Sequence, residues 1–173
     1  SRLVGSIVTI ASASEQAAVW IAYSDIAGHV DRGDIGRDAA LRSRELAQRA
    51  GDPVRAAQAL CNLAAIARRE GDPIGERRDL VRRLMIEVEQ LPDSTMRRRL
   101  TLEGLHLLGI EARDDVKFQE ARSYYEEMGS AARAWGFEED ARQADVALAE
   151  IDVLETGSEA ALSVIIDGAD AAR

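Results

Sequence analysis

The clearest alternation of apolar and polar positions runs from Leu60 to Asp72, LCNLAAIARREGD, with Pro73 behind it. Leu60, Leu63, Ala64 and Ala67 recur at the three-four spacing of a helix that buries one stripe, and Gly71-Asp72-Pro73 stops that helix within a turn. The same reading predicts helices along the chain. Ser14 caps a helix over residues 14–31 whose buried face is Val19, Tyr23, Ile26, Ala27 and Val30, and Gly33-Asp34 breaks it. Residues 35–50 follow, burying Ala39, Leu46 and Ala50 up to Gly51-Asp52-Pro53.

Residues 54–70 and 74–91 form the next pair, the second helix carrying Leu80, Leu84 and Val88 on one face. Pro92-Asp93-Ser94 punctuates again, with Asp93 or Ser94 as cap. Residues 96–113 align Leu100, Leu105, Leu108 and Ala112, and residues 117–135 align Phe118, Ala121, Tyr125, Met128 and Ala132 before Gly136. Residues 138–154 and 158–172 complete a fourth pair. The expected fold is all-α, with about eight helices in hairpins at 14–50, 54–91, 94–135 and 138–172. Residues 1–13 are either a short helix of their own or the end of a helix of a preceding unit.

Sliding the chain on itself reveals an internal repeat. Leu63-Ala64 recurs as Ile26-Ala27, Leu108-Gly109 and Leu148-Ala149, a large apolar residue followed by a small one, at steps of about 37 to 45 residues. Twelve positions beyond the small member, Ala27 leads to Ala39, Gly109 to Ala121 and Ala149 to Ala161; only Glu76 breaks the spacing. Small residues at both places let the two helices of a hairpin approach closely. On these residues the chain resembles tetratricopeptide-repeat (TPR) proteins. Leu60, Leu63-Ala64, Ala67 and Gly71-Asp72 match the first helix and turn of that repeat, and Leu105, Leu108-Gly109, Ala112, Phe118, Ala121 and Tyr125 match its large-small-aromatic alternation. The resemblance spans residues 14–172 and implies a right-handed α-solenoid. The repeats exceed the standard of about 34 residues and are most similar to the elongated ones of large bacterial transcription regulators and signalling ATPases.

Composition narrows the function classes. The chain has 173 residues, 46% hydrophobic, enough for a full core. A formal charge of −9 opposes a general nucleic-acid or anionic-membrane surface. No apolar run reaches the roughly 18 to 20 residues of a membrane span. A single cysteine, Cys61, excludes an intrachain disulfide framework and fits a reducing, cytoplasmic setting. Lys117 is the only lysine, an Arg-rich bias like that of proteins from GC-rich bacterial genomes. The apolar start without Met suggests a fragment of a longer protein.

In stacked hairpins the first helices line a concave groove. Matching repeat positions puts Ser24, Gly28 and Asp31, then Gln58, Cys61, Asn62, Ala65, Arg68 and Arg69, then Glu103, His106, Leu107 and Arg113 in that groove. Asn62, Arg68, Arg69, Glu103, His106 and Arg113 are the candidate partner-binding residues. The TPR clamp for chaperone C-termini is not reproduced: Asn62 fits its middle slot, but Ser24, Gly28, Glu103 and Leu107 occupy the others. Asn62 has a structural alternative, bonding the backbone of a neighbouring hairpin. The arginines 68, 69, 77, 78, 82, 83, 97, 98 and 99 suit an acidic peptide or phosphate, or else pair with the interleaved Glu70, Asp72, Glu76, Asp79, Glu87 and Glu89.

Chemistry has little support. Glu103-His106 has the spacing of a carboxylate-bridged metal motif without the second pair that a di-metal bundle needs. Cys61 has no CxxC partner, and the Gly-Asp-Pro turns lack the Lys-Ser/Thr ending of a phosphate loop. No catalytic group, metal or cofactor is expected. The reading is a non-catalytic protein- or peptide-binding module, the sensor or interaction part of a larger bacterial regulatory or signalling protein. The alternatives are a self-association scaffold, or a small-molecule or nucleotide sensor among the central arginines. A homo-oligomer would form through apolar terminal helices, where residues 1–13 carry Leu3, Val4, Ile7 and Val8 and residues 158–172 carry Leu162, Val164, Ile165 and Ile166.

Overall fold

A computed structural model of the chain describes residues 12–30 and 32–156. These residues form seven helices and no strand: α1 (Ala13–His29), α2 (Gly33–Arg49), α3 (Pro53–Arg69), α4 (Ile74–Glu89), α5 (Thr95–Asp114), α6 (Phe118–Trp135) and α7 (Glu138–Thr156). The expected helix at 158–172 and the segment before residue 12 lie outside the described residues, as does their use in self-association. The chain divides into two compact units, Ser1–Leu100 and Thr101–Arg173. In the first, each helix from α1 to α3 packs on the next and α1 also packs on α3; in the second, α6 packs on α7.

Recurring turns set the helix lengths. At Gly51, Gly71, Val116 and Gly136 the chain enters the left-handed region, with φ of 65°, 73°, 57° and 75°. The next residue's N–H reaches back five positions: Asp52 to the Ala47 carbonyl, Asp72 to Ala67, Lys117 to Ala112, Phe137 to Ala132. This is the Schellman stop, which satisfies carbonyls that the ending helix leaves open. Glycine adopts the conformation without penalty, whereas β-branched Val116 does so at a cost of about 1 to 2 kcal/mol. Helix starts are equally local. Asp52 accepts from the Arg55 N–H at 3.0 Å ahead of Pro53, and Ser94 accepts from the Arg97 N–H at 3.1 Å.

The α1/α2 hairpin is closed by small residues. Ala17, Ser24 and Ala27 on α1 face Gly36, Ala39, Ala40, Ser43 and Ala47 on α2, all buried. A Cβ added to Gly36 would sit 3.3 Å from the Ser24 carbonyl oxygen, so the two backbones nearly touch. Two fully buried hydroxyls join them in opposite directions: Ser24 Oγ donates to the Gly36 carbonyl at 2.9 Å and Ser43 Oγ to the Ala17 carbonyl at 2.8 Å. Gly109 has the corresponding role in the second unit. A Cβ there would lie 2.6 Å from the ring of the fully buried Tyr125, so α6 sets its aromatic ring directly on the α5 backbone.

Several expectations change. The α1 cap is Ser12, which forms a capping box with Glu15, rather than Ser14, whose hydroxyl bonds Asp52 instead. Gly33-Asp34 opens α2 instead of breaking the preceding helix. Of the face expected to be buried on α1, Ala27 is buried, but Ile26 and Val30 are 62% and 61% exposed and Tyr23 is 38% exposed. The close approach of α2 admits only small side chains, so the large ones turn outward. Ala50 is exposed, because the α2 stripe ends at Ala47 and Ala50 begins the turn. Elsewhere most of the expected stripes hold: Leu60, Leu63, Ala64 and Ala67, Leu84 and Val88, Leu100, Leu105 and Ala112, and Ala121, Tyr125, Met128 and Ala132 are buried, whereas Leu46, Leu80, Leu108 and Phe118 are half-buried.

Two substitutions test this account. Gly109→Ala should lower the free energy of unfolding by about 1 to 3 kcal/mol through overpacking against Tyr125. Val116→Gly should raise it by about 1 kcal/mol by relieving the left-handed valine. Denaturant melts followed by circular dichroism measure both, and an unchanged midpoint in either would contradict the corresponding contact.

Candidate functional site

The helix faces leave a cleft of about 630 Å³ on the first unit between α1 and α3, with Met96 from the first turn of α5 at its edge. Burying Ala17, Ser24 and Ala27 against α2 turns Ala18, Ile21, Ala22 and Asp25 toward this cleft, and α3 supplies Val54, Arg55 and Gln58 beside its cap Asp52. The lining is therefore mostly apolar, with Asp25, Asp52 and Arg55 as its charged members.

The polar groups of the walls bond one another. The Asp52 carboxylate accepts from Ser14 Oγ at 2.8 Å and from the Arg55 guanidinium at 2.5 Å, in addition to its capping bond. Burial works to raise its carboxyl, but the Arg55 N–H, the Ser14 hydroxyl and the Arg55 guanidinium outweigh it and hold the group below the ordinary carboxylate range. Arg55 also donates to Ser14 Oγ at 2.6 Å. The Gln58 amide lies 3.3 Å from the Met96 sulfur.

The candidate residues fall in both units. Asn62 donates through Nδ2 to the Ile21 carbonyl at 3.4 Å, which realises the backbone-bonding alternative and joins α3 to α1. Arg69 lies over Gly28, whose added Cβ would meet the guanidinium at 2.3 Å. Arg68 is half-buried. Three positions expected in the groove are instead core: Ser24 at 0%, Leu107 at 4% and Cys61 at 8% exposed. The buried stripe of α1 is rotated from the expected register, and that of α5 is broader than expected. The cleft residues themselves, chiefly Ala18, Ile21, Ala22 and Arg55, were missed. The small-residue stripe of α1 was the available signal for which way that helix turns.

In the second unit His106 and Arg113 line one cavity of about 200 Å³ with Ile110, Tyr125, Gln143 and Glu150. Arg113 pairs with Glu150. The Gln143 amide lies 3.2 Å from His106 Nε2, which accepts when the imidazole carries its proton on Nδ1. Glu103 is solvent-accessible, yet the protein around it pushes its carboxyl above the ordinary range, and the Asp140 carboxylate adds repulsion. Among the described residues no group of three His, Cys, Asp or Glu side chains gathers to hold a metal. None of their helices is long and apolar enough to cross a membrane.

Arginine chemistry is largely internal. Arg37 bonds Glu70 and Asp72 at 2.5 and 2.8 Å, and Arg44 joins Glu87 while donating to the Ala56 carbonyl at 3.1 Å. Arg122 bonds Asp152 and Glu155, and Arg133 bonds Asp145. From the central cluster, Arg98 pairs with Asp93 and Arg82 with Asp79.

Glu103 gives a pH test. Because its folded-state carboxyl titrates above the unfolded one, the charged form disfavours folding; stability falls as pH rises through the folded value and the penalty is absent at pH below 4.5. Glu103→Gln should therefore be more stable than the parent at pH 7 and converge with it under acid conditions. Thermal melts across pH read this, and a parallel offset at every pH would contradict it.

No protein-family model matches the chain, and no curated protein matches it.

Proposed function

We propose that this chain is a non-catalytic binding module of TPR-like stacked hairpins that accepts a protein or peptide in the cleft between α1 and α3. The observation that carries the reading is the cleft itself: about 630 Å³, walled by the first helices of successive hairpins and lined by Ala18, Ile21 and Ala22 among others. Packing of α1 on α3 and buried small residues at Ala27, Ala39 and Ala121 support the repeat reading. The formal charge of −9 favours a protein partner over nucleic acid. A buried, single Cys61 suits a cytoplasmic setting. Within a larger bacterial regulatory protein such a module would serve as the sensor or interaction part.

A displayed peptide library selected on the protein tests this. Selected binders should lose at least about tenfold affinity for Ala22→Trp, which fills the cleft from an exposed position, while its melting temperature stays near that of the parent. Binders insensitive to this change, or none selected, would overturn the reading.

A further inference from the structure

A methionine stands at the edge of the cleft, and it differs from the other two in the chain. Met128 is 1% exposed in the second unit and Met85 is half-buried on α4, whereas Met96 is 36% exposed. Local geometry puts it there. Ser94 accepts from the Arg97 N–H at 3.1 Å and so starts α5, which leaves Met96 in the first turn of that helix, within the first unit. Its sulfur meets α3, where the Gln58 side-chain amide donates to it at 3.3 Å. Gln58 lines the same cleft from the second turn of α3.

A thioether sulfur is a weak acceptor for an amide. A peroxide converts it into a strong one. The sulfur lone pair attacks one peroxide oxygen, the O–O bond breaks and the S–O bond forms, and the second oxygen leaves as water once it has taken the proton of the first. Sulfur is oxidised and the peroxide reduced by two electrons, and a sulfoxide reductase reverses the change. We infer that Met96 is a reversible oxidation site whose sulfoxide oxygen accepts from the Gln58 amide, tying the first turn of α5 to α3 across the edge of the cleft more firmly than the thioether does. Access selects the residue, because the oxidant must reach the sulfur. The amide selects the consequence. A sulfoxide on an open surface faces water, and one in a core such as that around Met128 is a buried polar group without provision for it. At Met96 a protein donor already lies in contact with the sulfur. The three rotatable bonds of the side chain let the new oxygen turn to that donor while the helix backbone stays in place.

Dilute hydrogen peroxide on the whole chain, followed by peptide mass mapping, tests the site. Met96 should gain one oxygen at least about fivefold faster than Met85 or Met128. Melting temperatures of the parent and Gln58→Leu, each before oxidation and after oxidation carried only to the Met96 sulfoxide, test the bond. The parent's lead over Gln58→Leu should widen by about 2 to 4 °C on oxidation, the change that one net hydrogen bond makes in a chain of this size. Sulfoxide reductase should close it again, and Met96→Leu should melt unchanged after the same exposure. Equal or faster oxidation of Met85 or Met128 overturns the inference. So does a lead that oxidation leaves the same or narrows, or a Met96→Leu protein that peroxide shifts as it shifts the parent. Where Gln58→Leu does not fold, the side-chain amide resonances of Gln58 in the labelled parent decide: they should move on oxidation and return on reduction, and resonances that stay in place overturn the inference.

Discussion

Close approach of helix backbones is the constraint on which the first unit depends. Where α1 meets α2, no side chain larger than serine fits at Ala17, Ser24, Ala27, Gly36 or Ser43, and the two serine hydroxyls make the contact specific as well as close. Each such bond contributes about 1 kcal/mol net, and together they fix the register in both directions. One consequence concerns the rest of α1. With its small residues committed inward, the cleft lining and the exposed large side chains follow without further instruction. The second unit reaches the same end differently, through a glycine that takes an aromatic ring on its backbone.

Helix positions, turns and most buried faces were legible in the sequence because three-four periodicity and Gly-Asp-Pro punctuation are local signals. The face of α1 was not. Periodicity assigns burial to the large residues, and α1 inverts that rule because its neighbour comes too close for them. The groove register failed for the same reason: Ser24, assigned to the concave side, is the hydroxyl that holds α2. Asn62 was legible as an inter-hairpin bond, since an asparagine flanked by buried leucines and alanines must satisfy its amide nearby. Arg55 was not legible, because its role depends on Ser14, far away in sequence.

Arginines outside the central cluster align the helices. Arg37 and Arg44 reach from α2 to acids near the end of α3 and on α4, and in the second unit Arg113, Arg122 and Arg133 tie acids of α7 to α5 and α6. The acidic C-terminal third is thus drawn into its own unit's packing. These pairs are partly exposed, so each contributes modestly to stability, but each spans two helices and disfavours a shifted alignment.

The two Gly-Asp-Pro turns look interchangeable and are not. Asp52 caps the helix that it precedes, closing a loop to Arg55 three residues on. Asp72 instead receives Arg37, thirty-five residues back, while Pro73 takes the cap position of α4 without a side-chain bond. Closing the longer loop costs more chain entropy. The start of α3 is therefore written into its own first turn, to which Ser14 of α1 adds a second, distant bond, whereas the Asp72 carboxylate is held by α2, so the same tripeptide is anchored by its own helix in one place and by a neighbouring one in the other.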